Sequence, residues 1–255
     1  IFDGGDYGGF IQNSFFGGGA ASLAFTLAEI LITLGIIGIV AALTIPTLVN
    51  KYKIKQYEVG FKKAYSLLNE AVKTINANDF IISENVTCGA CTQNYDYVKN
   101  CQCFPLILSK SFKGAENLKP RFSNNSITYK SFDGSVYGGL LMYDGFFELP
   151  NGMSVFFEIQ DSTNNPVIII DTNGYEKLPN RYGFDTFAFI IGKYDKIHGV
   201  GDPNIVYTGP FKTSGGRTVW PVSTYCNADV KNSNNGFSCA YKALNESDYW
   251  KKLPH

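Results

Sequence analysis

The stretch AFTLAEILITLGIIGIVAALTIPTLVNKY, Ala24 to Tyr52, decides how the rest of the chain is read. From Ile30 to Asn50 it holds 21 consecutive uncharged residues, mostly Ile, Leu, Val, Ala and Gly. A helix of about 20 such residues crosses the hydrocarbon layer of a bilayer, so the stretch reads as a membrane segment. A buried core helix or the apolar part of a secretory signal passes a similar test. A signal, however, usually carries about 7 to 15 apolar residues behind a basic flank, and no Lys or Arg precedes this run. Glu29 stands at its edge, where a carboxylate is costly: about 2.5–3.5 kcal/mol at a bilayer centre and less near the interface. Such a charge needs a partner. A cut between Ala24 and Phe25 would leave a new α-amino group four residues away, on the same chain or a neighbour, to neutralise it.

Downstream, Lys51, Lys53, Lys55, Lys62, Lys63 and Lys73 face only Glu58 and Glu70 before residue 75. That excess favours the cytoplasmic side by the positive-inside rule, whereas six cysteines favour export. Over the same residues Ile54, Tyr57, Phe61, Ala64, Leu68, Ala71 and Ile75 recur at spacings of 3, 4, 3, 4, 3 and 4. This is one apolar stripe of an amphipathic helix. Joined to the membrane segment it makes a helix of about 50 residues and about 75 Å; a break at Pro46 would instead leave a short, separate surface helix. Pro46 cannot donate to the Ala42 carbonyl and Gly38 weakens the helix entropically, so the interval between them is where a kink or local melting is expected.

From residue 79 onward helical periodicity gives way to short apolar runs between Gly, Asn and Pro clusters, the pattern of strands. FFEL (Phe146 to Leu149) and MSVFFEI (Met153 to Ile159) flank Pro150, Asn151 and Gly152, a hairpin connection in which Gly supplies positive φ. VIII (Val167 to Ile170) and TFAFII (Thr186 to Ile191) continue the series. The expected fold is α+β, an antiparallel meander with the helix stripe over its apolar face.

Composition narrows the functions. Charged residues make up 17% of the chain, against about 25% in ordinary soluble domains, consistent with a part that does not face water. Lys plus Arg and Asp plus Glu number 22 each, so there is no net basic field to hold nucleic acid through counterion release. The two histidines, His198 and His255, leave little material for a Ser/His/Asp or Cys/His nucleophilic site. HGVGD (His198 to Asp202) contains the GxGD of intramembrane aspartic proteases but lies outside the apolar run, and it is read as coincidence.

With these residues in place, Ala24 to Tyr52 resembles the class III signal of type IV pilins and of the pseudopilins of type II secretion. In that family a prepilin peptidase cuts before a Phe, methylates its amine and leaves a Glu four residues on, with a Gly and then a Pro at fixed intervals. Phe25, Glu29, Gly38 and Pro46 stand at those intervals, behind the small residue Ala24. The leader departs from the family pattern in carrying no Lys or Arg.

The resemblance implies a leader (1–24), a transmembrane or filament-core helix (25–48), its amphipathic continuation (49–78) and an exported, disulfide-bearing, β-rich head (79–255), a pilin-like fold. It implies Ala24 and Phe25 for processing, and Phe25, Glu29, Gly38 and Pro46 for assembly, with Glu29 pairing with a neighbour's amine and Gly38 and Pro46 permitting melting. Implied partners are the prepilin peptidase, inner-membrane assembly machinery, and other copies or related pilin-like subunits in a helical filament. Localisation would be the bacterial inner membrane before assembly and an extracytoplasmic or surface filament afterwards. The function expected is structural, with the head used for surface contact, adhesion or secretion and no catalysis. The rival from another class is a membrane-anchored ligand- or metal-binding domain that never polymerises.

Cys88, Cys91, Cys101 and Cys103 form a CxxC followed nine residues later by a CxC. Two disulfides are favoured over zinc, because exported thiols oxidise and zinc ribbons repeat CxxC on both sides; their pairing does not follow from sequence. Cys226 and Cys239, with 12 residues between them, can close a C-terminal loop, which resembles the disulfide-bounded C-terminal region of many pilins. DTNGYEKLPNRYGFD sets Asp171, Asn173, Asn180 and Asp185 between two strands. Calcium is conceivable there, since the resemblance extends to pseudopilins with a loop calcium site. An EF-hand would want Gly at the sixth position, whereas Gly174 is the fourth, and an Asx turn with a glycine corner is the preferred reading. No other cofactor is expected.

Overall fold

The computed structural model describes residues 26–78, 82, 104–116, 118–119, 127–138, 142, 145–158, 167–205 and 220–254. Two compact units divide the chain, Ile1–Leu48 and Val49–His255. Helix α1 runs over Leu27–Asn76, 50 residues without a break. The separate-helix alternative at Pro46 is therefore not adopted, and no melted interval interrupts α1 between Gly38 and Pro46. Near Pro46 the Thr44 hydroxyl donates to the Val40 carbonyl at 2.9 Å, a bond that keeps a polar side chain satisfied within the helix.

In the first unit the apolar side chains of α1 are exposed, from Leu27 and Leu43 at 74% to Ile30 at 44%. Among the described residues α1 is the one helix long and apolar enough to cross a membrane. Contiguous exposed apolar surface of this extent is characteristic of membrane or protein contact sites.

In the second unit the same helix buries one stripe: Phe61, Ala64, Leu68, Ala71, Val72 and Ile75, with Ile54 and Tyr57 half-buried beside it. Short helix α2 (Phe104–Ser111) joins that core through Phe104 and Leu108. Strands β1 (Phe146–Glu148), β2 (Ser154–Glu158), β3 (Val167–Asp171), β4 (Thr186–Ile191) and β5 (Ile197–Gly199) form one sheet in sequence order. Every neighbouring pair is antiparallel. The β1–β2 turn closes at Gly152 (φ 84), whose N–H donates to the Leu149 carbonyl at 2.8 Å. The four expected strands are present to within a residue or two at their ends; β5 is additional.

Alternation divides the sheet's side chains between two cores. Phe147, Val155, Phe157, Ile168, Ile170, Phe187, Phe189 and Ile191 face the α1 stripe, where the Phe61 ring lies 4.5 Å from that of Phe187 and 5.5 Å from that of Trp250. Phe146, Phe156, Val167, Ile169, Ala188 and Ile190 face a second core with Tyr129, Tyr182, Trp220 and Phe237. The expectation of one apolar face is thus incomplete, because both faces are covered. That is why VIII is an unbroken apolar run with no polar alternation. The C-terminal part supplies α3 (Val222–Tyr225), α4 (Cys239–Asn245) and a final 3₁₀ turn, Tyr249–Lys251, whose Tyr249 and Trp250 close the helix-side core.

Candidate functional site

The entrance of α1 is the first candidate. Thr26 precedes the helix, and its N–H and hydroxyl both donate to Glu29 Oε2, at 2.8 and 2.9 Å. In return the Glu29 N–H donates to Thr26 Oγ1 at 3.2 Å. This reciprocal pair is a capping box, which satisfies backbone donors that the first turn of any helix leaves free. Its signal, Thr-x-x-Glu ahead of an apolar run, stands in the sequence as TLAE, Thr26 to Glu29, and went unread beside the charge argument. Glu29 therefore has a local partner on its own chain, independent of any amine. Among the described residues no atom lies within 4 Å of a Cβ added at Gly38. Ala24, Phe25 and the cysteines Cys88, Cys91, Cys101 and Cys103 lie outside the described residues.

The second candidate is the corner between β3 and β4. Asp171, at the end of β3, accepts from the N–H groups of Asn173 and Gly174 at 3.2 and 3.0 Å through Oδ1, and from the Tyr129 hydroxyl at 3.0 Å through Oδ2. Asp185, just before β4, accepts from the Asn180 and Arg181 N–H groups at 3.0 and 2.7 Å. The Asn173 side-chain amide donates to the carbonyls of Lys177 and Leu178, and that of Asn180 to Tyr175. The four residues singled out in the sequence thus come together as one hydrogen-bonded Asx corner. All four carboxylate oxygens already receive donors, whereas calcium takes about six to eight oxygens facing the ion itself. The buried Oδ1 atoms of Asn173 and Asn180 have no hydrogen-bond partner among the described residues and are the oxygens left over for a cation. Among the described residues no group of three or more His, Cys, Asp or Glu is gathered as a metal cluster.

Burial governs the protonation of this corner. It pushes the Asp171 carboxyl well above its ordinary range, the nearby charge of Asp185 adding to the effect and the Tyr129 hydroxyl and amide donors opposing it. Burial likewise lifts Asp185 to about 6 against the pull of its backbone donors. The Tyr129 hydroxyl is raised by its own burial and by the Asp171 charge.

No family model, curated protein or solved structure matches this chain.

Two further features complete the head. Cys226 and Cys239 form a disulfide across 13 positions, joining the end of α3 to the start of α4, with both residues fully buried. His198 of β5 meets Asp202 Oδ2 through Nδ1 at 2.8 Å, and Asp202 also accepts from the Asn204 N–H at 2.9 Å. The GxGD acid thus accepts a hydrogen bond within a turn that follows β5.

Proposed function

We propose that this chain is a filament-forming subunit of the type IV pilin and type II secretion pseudopilin kind. A prepilin peptidase cuts between Ala24 and Phe25, the first half of α1 holds the subunit in the bacterial inner membrane, and that half then becomes filament core when copies assemble. The head is carried outside and presents the contact surface. The work is mechanical or adhesive, with no catalytic step. What supports the reading above all is one uninterrupted helix with two halves of opposite character: exposed apolar side chains from Leu27 to Val49, and a single buried stripe from Phe61 to Ile75 against an antiparallel sheet. An apolar half left uncovered by the described residues of its own chain is suited to lipid or to other copies. The processing motif in register with that half adds the chemistry of maturation.

The deciding experiment is intact-mass and N-terminal peptide mass spectrometry on protein from native membrane and filament fractions, without reduction. A mature chain starting at N-methylated Phe25 is expected, with the mass also counting oxidised cysteines. Full-length protein with its first 24 residues still attached, confined to the membrane, would sink the filament reading and favour a simple anchored domain.

A further inference from the structure

The groove between the second half of α1 and the β3–β4 corner points, we propose, to a docking site for the anionic headgroup of a phospholipid. The inference rests on reading Ile30 to Asn50 as a membrane span, and not on filament formation. The groove has a volume of ≈ 780 Å³; Tyr52, Lys53, Lys55 and Lys63 line its helix side and Lys177 and Leu178 its head side. Among the described residues no carboxylate lines it. Lys55 is engaged by Glu58 at 3.0 Å, whereas Lys53, Lys63 and Lys177 form no ion pair among the described residues. Three exposed ammonium groups around one concavity, uncompensated, hold a positive potential that favours an anion, and a lysine recognises phosphate as a point charge.

The position along α1 selects the kind of anion. Tyr52 and Lys53 follow directly on the uncharged run that ends at Asn50, within the same helix. At about 1.5 Å per residue, Lys53 stands about 5 Å beyond that end, within the headgroup layer, and Lys63 about 20 Å beyond it, on the water side of that layer. Tyr52, Val59 and Leu178 are 65%, 53% and 80% exposed at the same groove. Aromatic and apolar surface interleaved with lysines is the combination found at bilayer interfaces, where anionic lipids attract basic side chains. An acidic peptide would need no such apolar rim at the membrane end. Gly60 sets the floor: a Cβ there would lie 3.1 Å from the Thr172 hydroxyl oxygen, so its absence lets α1 lie close against the end of β3.

The test uses the full chain in mild detergent, with native mass spectrometry counting bound phosphatidylglycerol and phosphatidylcholine of equal acyl chains. Three proteins are compared: the unaltered chain, K53Q/K63Q/K177Q, and the charge-matched control K110Q/K196Q/K231Q. The expected result is preferential retention of phosphatidylglycerol, weakened about tenfold or more in the groove variant and unchanged in the control. Equal loss in both variants would reduce the effect to general charge. Equal retention of the two lipids would reduce it to contact with the apolar helix. Displacement by inorganic phosphate at micromolar concentration would make this a free-anion site, and loss of self-association with lipid binding intact would make it a seat for a second copy. Each of those four results overturns the proposal. If the triple variant melts below the unaltered chain, K177E, on the head side alone, repeats the comparison. N-terminal processing is read from the same spectra, so failure of the lipid site and failure of the filament reading are separately visible.

Discussion

At Glu29 two roles compete, and one substitution series separates them. The carboxylate completes a capping box with Thr26, and Gln can serve at that position almost as well as Glu, whereas a charge partner for a neighbour's amine requires the negative charge. E29Q and E29A should therefore both stay in the membrane and both fail to assemble, as read by filament yield against membrane fraction. Recovery of filaments in E29Q alone would assign the residue to capping. At the β3–β4 corner, Gly174 has φ 89, and a Cβ on it would lie 2.3 Å from the Gly152 carbonyl oxygen. G174A is expected to destabilise the head by about 2 kcal/mol or more, visible as a melting temperature lowered by about 5 °C or more. The aspartates of the same corner carry a pH signature. Asp185 is raised from 3.8 to about 6 in the folded head and Asp171 is raised as well, so the fold binds protons that the unfolded chain has released. Their stabilisation is complete below the unfolded value and is lost as pH rises through the folded one. Melting should come a few degrees higher at about pH 5 than at about pH 7.5, and D185N should flatten that slope. A calcium titration of the same protein at neutral pH is expected to leave melting unchanged, since the carboxylate oxygens already accept hydrogen bonds; a rise that depends on Asp171 and Asp185 would restore the cation reading.

Among the elements, α1 couples the two halves of the molecule's chemistry. Its stripe spacing was plain in the residues, because a helix that packs on one side must repeat its apolar positions every three or four residues. What that spacing does not contain is the identity of the partner. Phe61 meets Phe187, Phe189 and Trp250, which lie 126, 128 and 189 positions further along the chain. F61A should cost about 3–5 kcal/mol, lowering the melting temperature by about 10 °C while leaving membrane insertion intact, as checked by carbonate extraction. The strands were legible for a similar reason: β-branched and aromatic runs between turn residues announce themselves locally. β5 was missed because IHG is too short and too mixed to carry a period of two; it is a strand only through pairing with Ile191, Ile190 and Phe189 of β4.

Across the whole molecule, the stability of the head rests on two cores and a covalent staple. The Cys226–Cys239 bridge closes a short loop, and C226A/C239A should lower stability by about 3 kcal/mol, measured by chemical denaturation against the oxidised chain. Because Cys226, Cys239 and Ala240 belong to the helix-side core, the loss should be cooperative across the head, and a separate early transition would show the C-terminal part to be its own folding unit.

The residues of this chain by themselves determined where the long helix lies, which stripe of it is buried, where four of the strands run and which cysteine pair could close the C-terminal loop. All of these depend on local periodicity, on turn chemistry or on short separations. Only the tertiary structure decided that both sheet faces are covered, that Glu29 is held by Thr26, that burial raises Asp171 and Asp185 inside one corner, and that three lysines from distant positions open onto one groove. Those properties arise from residues brought together by folding, and the field, burial and space at a point depend on every neighbour in three dimensions, not on the few that adjoin it in the chain.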